Sequence, residues 1–255
     1  METSWKDKSV SEKFNLYNDM LEDILGFQCI FNLIENNQSI RHILDYGCGP
    51  GKVSERLAVR NPHYNIFAVD ESKEMIEIAS SIRKHDNISY HCIQNNNLAF
   101  IDSNSVDCAI ICFVIINNAE RNKIISMLAE VYRVLKPQGQ LILLDSNPNA
   151  TGITFTTFTN GERGVRYRSG DKKKQFLKVE GQSDLILHDW YWSKQDYIEW
   201  LSMTGFESIH ISEATIGKLP EKSRVMIEQQ YQFNDWGNEV TIPPFIVFHA
   251  IKSKT

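Results

Sequence analysis

The stretch ILDYGCGPG, from Ile43 to Gly51, decides the fold of this chain. Its apolar first half predicts a buried strand, and its three glycines on alternate positions predict a tight turn after that strand. Val53, Leu57 and Ala58 then recur at the spacing of an amphipathic helix. A strand, a glycine turn and a helix in this order form the phosphate- or nucleoside-binding corner of a doubly wound α/β sheet.

The spacing of the glycines distinguishes two kinds of ligand. Dinucleotide-binding turns follow the pattern G-x-G-x-x-G and hold a pyrophosphate at the helix N-terminus. Here Gly47, Gly49 and Gly51 follow G-x-G-x-G, and Asp45 precedes them at the end of the strand. A carboxylate in that place would repel a pyrophosphate but suits a cationic or amino-bearing ligand. The turn resembles the first motif of the class I S-adenosyl-L-methionine (SAM)-dependent methyltransferases.

A second acid lies where this family binds the ribose. The predicted strand at 65–69 ends at Asp70, roughly 20 residues after the glycine turn. Two carboxylate oxygens can accept hydrogen bonds from the vicinal hydroxyls of a ribose. Asp70 would equally serve as the N-cap of the following helix. Ribose binding is favoured here because the glycine turn accompanies it.

Later segments match the family in order and spacing. Strands are predicted at 88–93 and 105–113, and the run RVLKPQG at 133–139 is similar to the R-V-L-K-P-G-G turn of family members. In the family, an acid or amide after the third strand binds the adenine amino group. Asn95 or Asn96 takes that place here, and its amide oxygen could accept the same hydrogen bond.

The resemblance extends from about residue 41 to residue 146 and implies a SAM site, with S-adenosyl-L-homocysteine as the product. Methyl transfer from a sulfonium needs little more than in-line placement of a nucleophile. Carried over from the family, the cofactor-binding residues would be Asp45, Tyr46, Gly47, Gly49, Gly51, Asp70, Glu71, Met75, Asn95, Asn96 and Phe113.

The predicted fold class is α/β, with a doubly wound, Rossmann-like sheet of seven strands whose last strand is antiparallel. Helical spacing near the N-terminus and a run of short strands with glycine turns after the fifth strand add to this core. The predicted segments are an N-terminal helical cap (1–40), a SAM-binding core (41–146), a β-rich insert on the substrate side (147–192) and the C-terminal part of the core (193–255), with a long connection at 213–243.

Net charge and hydropathy limit the kinds of partner that this protein is expected to bind. The net charge is −5 and the pI is about 5.8, which makes nucleic acid an unlikely substrate because phosphate binding favours a basic surface. The basic cluster at 163–178 is more typical of a solvated hairpin face. No apolar run is long enough to span a membrane, and the N-terminus lacks the charged-then-apolar order of an export signal. We therefore expect a cytoplasmic protein, monomeric or homodimeric.

Cysteine spacing and the strand ends indicate that no metal is bound. The five cysteines form no C-x-x-C pair, so they are expected to be reduced thiols in core positions. Metal-dependent catechol-type relatives carry an acid after the fourth strand and another at the next strand end. Asp145 could be the second of these acids, but the first is missing.

Acceptor residues are expected outside the nucleoside core. The run His188–Trp192 crowds aromatic rings beside an imidazole, which suits a flat aromatic or heteroaromatic acceptor. His188 is the candidate general base because histidine side chains ordinarily have a pKa near neutrality. The candidate substrate-binding residues are Tyr17, Asn117, Trp190, Trp192 and Tyr231. Core packing is the competing explanation for each aromatic residue, and an ordinary structural histidine is the competing explanation for His188.

The sequence therefore predicts a SAM-dependent methyltransferase that acts on a small, aromatic or heteroaromatic metabolite at oxygen, nitrogen or carbon. Two alternatives stay open. One is a methyltransferase of RNA or protein side chains, and the other is a non-catalytic SAM-binding protein that uses the fold as an interaction module. Transfer of a labelled methyl group would separate both enzymes from the module.

Overall fold

The structure is a computed structural model that describes residues 8–254. The first seven residues of the predicted N-terminal cap and the last residue of the chain lie outside this range. Within it, the strands are β1 (His42–Tyr46), β2 (Asn65–Asp70), β3 (Ile88–Cys92), β4 (Val106–Cys112), β5 (Leu135–Ser146), β6 (Ile153–Thr154), β7 (Phe158–Asn160), β8 (Lys172–Leu177), β9 (Leu185–Trp190), β10 (Phe206–Ser212) and β11 (Phe245–Lys252).

Helices connect most of these strands. A π-helical turn at Asp23–Phe27 joins the second and third helices, and a 3-10 turn at Ile115–Asn117 follows β4. The α-helices in the described residues are α1 (Lys8–Leu16), α2 (Met20–Glu22), α3 (Gln28–Glu35), α4 (Lys52–Arg60), α5 (Lys73–Ile82), α6 (Arg121–Val134), α7 (Lys194–Met203) and α8 (Glu221–Tyr231).

The larger sheet has seven strands in the order β10-β11-β5-β4-β1-β2-β3. Strands β1 to β5 run parallel, and β11 is antiparallel to both β5 and β10. The predicted fold class is confirmed, including the antiparallel last strand. The order reverses between β1 and β4, which is the switch point where α/β sheets bind ligands outside the carboxyl ends of their strands.

Alternation along the central strands divides the core into two layers. Ile43 and Ile110 pack with the N-terminal helices, α4 and the smaller sheet, whereas Leu44 and Ile111 pack with α6 and α7. All four are fully buried because parallel strands covered by helices on both faces are apolar on both sides. No helix within residues 8–254 is long and apolar enough to cross a membrane.

A second, antiparallel sheet forms in the segment after β5, in the order β6-β7-β8-β9. Its inner face carries Phe158, Leu177, Leu185 and Leu187, which belong to the same apolar layer as the N-terminal helices. The small sheet and these helices therefore pack together in one apolar layer on the same face of the large sheet.

Candidate cofactor and acceptor site

A cavity of about 620 Å³ lies at the switch point. The glycine turn, the ends of β2 and β4, the N-terminal helices and the inner face of the small sheet all contribute to its walls. A cavity of this size can hold a nucleoside cofactor together with part of a small acceptor.

The three glycines of the turn have different surroundings. A Cβ added to Gly47 would come within 2.2 Å of Val114 Cγ2, and one added to Gly51 would come within 2.7 Å of the Tyr90 hydroxyl. A Cβ on Gly49 would meet nothing within 4 Å, although its φ of +53° is unfavourable for other residues. Gly49 lines the cavity, so this is the position where backbone can approach a bound ligand.

Asp45, near the end of β1, forms a hydrogen bond with the helix that follows the glycine turn. Its side chain is 1% exposed, and its Oδ2 accepts a hydrogen bond of 2.5 Å from Ser54 Oγ on α4. Burial raises the pKa of Asp45 to about 7. The carboxyl lines the cavity, where a cationic ligand would stabilise its ionised form.

Asp70 links the ends of β1 and β2. Its Oδ2 accepts a hydrogen bond from the Gly49 N–H at 2.9 Å, and its Oδ1 accepts one from the Ser72 N–H at 2.8 Å. The cap of α5 is formed by Ser72, whose Oγ accepts from the Met75 N–H. The alternative role of Asp70 as the helix N-cap therefore belongs to Ser72. Burial raises the pKa of Asp70, and the two backbone donors oppose that rise.

On the adenine side predicted from the sequence, the buried Met75 and the exposed Asn95 both line the cavity. Tyr46 donates to Asn96 Oδ1 at 2.7 Å, which engages the oxygen of that amide. Asn95 and Asn96 both adopt positive φ values, of 53° and 58°. This tight turn brings both amides to the cavity, and Glu71 also lines it.

The N-terminal helices close the cavity near the glycine turn. The Tyr17 hydroxyl donates to Glu22 Oε1 at 2.7 Å and forms a hydrogen bond of 3.0 Å with Thr157 Oγ1 of the segment preceding β7. Glu22 Oε2 is buried and has no partner among residues 8–254, and burial raises the pKa of Glu22 from 4.5 to about 8. Lys52 Nζ donates to the Tyr17 carbonyl and pairs with Asp19 at 3.5 Å. Sequence patterns alone do not single out Glu22 or Lys52.

The inner face of the small sheet forms the opposite wall. Gln175 and Leu177 of β8 and Leu187 and Asp189 of β9 line the cavity. They lie on alternate positions because successive side chains of a strand point to opposite faces. Asp189 is 1% exposed, and burial raises its pKa to about 7.

Two predicted acceptor residues lie on the other face of β9. His188 is paired in register with Lys174, and Trp190 is paired with Lys172, whose Nζ lies 5.2 Å from the indole centroid. Both side chains are half-buried, and neither contributes to the cavity wall within the described part of the chain. The physical reason is register, because a shift of one residue moves a side chain to the opposite face.

Of the other predicted site residues, some line the cavity and some do not. Asn117 lines the cavity and donates to the Phe113 carbonyl at 2.7 Å, and Phe113 itself lines it at the end of β4. Trp192 is buried in the core, where its indole N–H donates to the Asn118 carbonyl at 3.1 Å. Tyr231 forms a hydrogen bond with Asp23. Trp192, Tyr231 and the packing glycine Gly51 are not among the described residues that line the cavity.

Comparisons with known proteins agree with this geometry. The family model described as a methyltransferase domain matches residues 43–139. An N-demethylindolmycin N-methyltransferase from Streptomyces griseus is 28% identical over 225 residues, which are 86% of this chain and 92% of the relative. A malonyl-[acyl-carrier protein] O-methyltransferase from Bacillus cereus is 36% identical over 152 residues, which are 56% of this chain and 54% of the relative.

Solved structures share the fold. A SAM-dependent methyltransferase from Methanosarcina mazei superposes with a TM-score of 0.58 at 18% identity and covers 88% of this chain and 98% of its own. A phosphoethanolamine-type N-methyltransferase from Haemonchus contortus, solved with phosphomonomethylethanolamine and S-adenosylhomocysteine, has a TM-score of 0.56 at 16% identity. It covers 98% of this chain and 60% of its own.

The matched domain, the relatives and the fold support a class I SAM-dependent methyltransferase with SAM as its cofactor. The residues present fit that cofactor, because Gly49 leaves open space beside a carboxylate that can accept from ribose hydroxyls.

Proposed function

We propose that this enzyme methylates a nitrogen atom of a small molecule with an aromatic or heteroaromatic body. The observation that carries this proposal is the cavity, which extends from the glycine turn to the small sheet. Beyond the turn its walls are largely apolar and aromatic, and they include Phe14, Phe27, Phe113, Leu187 and Phe245. Such walls bind a flat acceptor by stacking and exclude water from it.

The choice of nitrogen is supported by the relative from Streptomyces griseus. Its name records methylation of a nitrogen in a small molecule, and the match extends over 92% of its length. The quinone-pathway C-methyltransferases that also match, such as the one from Rickettsia typhi at 26% identity over 86% of its length, support an aromatic acceptor but a different atom.

Residues at the turn would hold the cofactor. Asp70 would accept from the ribose hydroxyls, Met75 would pack against the adenine, and the amide of Asn95 would accept from the adenine amino group. Glu22 and Lys52 would offer a carboxyl and an ammonium group to the amino-acid end. When bound, SAM supplies a methyl group on a positively charged sulfur.

The remaining features of the proposal concern the partners and the location of the enzyme. The net charge of −5 and the several acids of the cavity wall disfavour an RNA substrate, since phosphates would be repelled. We propose a cytoplasmic enzyme, monomeric or homodimeric, that uses no metal.

Radiolabelled SAM and a panel of acceptors test this function. The panel contains benzylamine and tryptamine as nitrogen acceptors, catechol and 4-hydroxybenzoate as oxygen acceptors, and a naphthoquinol as a carbon acceptor. We expect mass spectrometry to find the methyl group on an amine, with no transfer by the Gly49→Val variant. Methylation of phenols or of the quinol alone would contradict the nitrogen assignment. Transfer only to added RNA or protein would favour the macromolecular alternative, and SAM binding without any transfer would favour the interaction module.

A further inference from the structure

Asp189 is an acid without a partner in the wall of the acceptor cavity. Its side chain is 1% exposed, yet neither carboxylate oxygen has a hydrogen-bond partner anywhere in residues 8–254. A buried carboxylate without donors is strongly unfavourable unless a ligand or another charge compensates it. Because Asp189 lines the cavity, a ligand there can supply the missing donors.

The lysine that pairs with Asp189 in register forms its hydrogen bonds with other residues. Lys173 lies directly opposite Asp189 in the β8–β9 pair. Its ammonium group donates to Ser146 Oγ at 3.0 Å and to Asn160 Oδ1 at 2.7 Å. The attraction of Lys173 acts on the pKa of Asp189 at longer range without providing a hydrogen bond.

The position of Asp189 in the fold suits the acceptor. Strand β9 contacts the 3-10 turn Ile115–Asn117, which follows β4, and the Trp192 indole ties the end of β9 to the Asn118 carbonyl. Asp189 therefore belongs to a strand that packs against the turn after β4, and it shares the cavity wall with Asn117 and Asn118 of that turn region. Ligands of open α/β sheets bind in this crevice.

The number of missing donors indicates the chemistry of the acceptor. Two carboxylate oxygens without partners are satisfied by a group that presents two N–H bonds, such as a protonated amine or an amidine. A phenol presents one proton and would leave the other oxygen unsatisfied. We infer that Asp189 binds the N–H groups of the acceptor nitrogen and takes up its proton. This inference rests on the proposed nitrogen methylation and names the residue that would serve it.

In the methyl transfer, Asp189 would act as the proton acceptor. An ammonium acceptor gives one proton to the Asp189 carboxylate, which frees the nitrogen lone pair. That lone pair forms the new N–CH₃ bond as the S–CH₃ bond breaks, and the bonding electrons remain on sulfur. The product leaves as a methylated ammonium, and the Asp189 carboxylic acid then loses its proton to solvent.

The charged groups around Asp189 set its response to pH. Lys173 lowers its pKa, whereas burial raises that pKa to about 7 and is the larger effect. Asp145 of β5 and Tyr197 of α7 also interact electrostatically with Asp189. The ammonium group of Lys13 in α1 donates a hydrogen bond to Ser183, before the start of β9, and not to Asp189. The rate of amine methylation should therefore rise as pH increases through about 7, where Asp189 loses its proton.

The test compares Asp189→Asn with Asp184→Asn, a change at an exposed acid just before β9. Benzylamine and tryptamine are the probes, and their binding is measured by calorimetry with S-adenosylhomocysteine already bound. We expect Asp189→Asn to weaken amine binding about 10-fold or more and to lower kcat about 100-fold. It should also remove the rise in rate near pH 7. Cofactor affinity and all properties of Asp184→Asn should match the wild type.

The outcomes separate the two proposals. If the wild type methylates an amine and a folded Asp189→Asn variant binds and methylates it equally well, this inference is overturned and the proposed function stands. If the wild type methylates phenols or quinols but neither amine, both proposals are overturned. Weaker amine binding together with loss of the pH dependence supports Asp189 as a catalytic residue. Loss of rate with unchanged amine binding and an unchanged pH profile would overturn it in favour of a structural role.

Discussion

The glycine turn and the inner face of the small sheet bound the same cavity, but they do so by different means. In the turn, backbone groups reach the ligand site, and Gly49 is held there by the Asp70 carboxylate. In the small sheet, side chains reach the site, and strand alternation selects which ones. The turn therefore depends on backbone conformation, whereas the small sheet depends on register.

The largest expected effect tests the backbone role of the turn. Gly49→Val would place a side chain into the open space beside Asp70, so we expect binding of S-adenosylhomocysteine to weaken roughly a thousandfold, or about 4 kcal/mol. Isothermal calorimetry measures this loss. Gly164→Val is the matched control, since Gly164 also has positive φ and open surroundings but lies outside the cavity.

Both glycine variants should lose a similar stability, about 1–2 kcal/mol, because both force a branched residue into the left-handed region. Thermal unfolding checks this equality. Equal cofactor affinity in the two variants would contradict the assignment of Gly49 to the ligand site, and the comparison between turn and sheet would then fail.

The next prediction tests the register of the small sheet. Leu187→Ala should lower the free energy of unfolding by about 3 kcal/mol, because this side chain is 6% exposed in the layer shared with the N-terminal helices. Ile186→Ala, one residue earlier, should cost less than about 1 kcal/mol because Ile186 is 47% exposed. Urea denaturation compares the pair. The reverse order of effects would show that β9 presents its other face to the cavity.

The last prediction concerns the pH dependence of stability. Burial raises the pKa of Glu22 from 4.5 to about 8, so the folded state holds a proton that the unfolded state releases. Stability from Glu22 is therefore fully present below about pH 4.5 and is lost as pH rises through about 8. Glu22→Gln should gain on the wild type as pH rises, by up to about 4 kcal/mol between pH 5 and 8.5.

Unfolding of the ligand-free protein between pH 5 and 8.5 measures this difference. Glu180→Gln, at an exposed position, is the control and should follow the wild type at every pH. A difference between Glu22→Gln and the wild type that does not change with pH would mean that Glu22 is ionised in the folded protein throughout.

The core of the fold could be predicted from the sequence because its evidence is local. The strand before Gly47, the acid at Asp70 and the run at 133–139 each have short sequence patterns with a physical reason, and their order dictates the sheet. The predicted cofactor-binding residues, except Gly51, line the cavity for the same reason, since strand ends meet at one edge of a parallel sheet.

The acceptor wall could not be predicted in the same way. Choosing between His188 and Asp189 requires knowing which face of β9 points to the cavity. The usual role of histidine as a general base favoured His188 over the acid beside it. Tyr17 meets Thr157 across 140 residues of sequence, so no short pattern reports their contact. Tyr231 reaches Asp23 in the same long-range manner and lies outside the cavity wall.

The bond from the Trp192 indole to the Asn118 carbonyl has a consequence for protein engineering. It fastens the insert to the loop that leaves the nucleoside core, so the two cannot be exchanged independently. A chimera that imports another enzyme's insert to change acceptor preference must also bring a donor for this carbonyl. Without one, the grafted sheet would be misplaced over the methyl donor, and turnover would fall even if the new acceptor bound well.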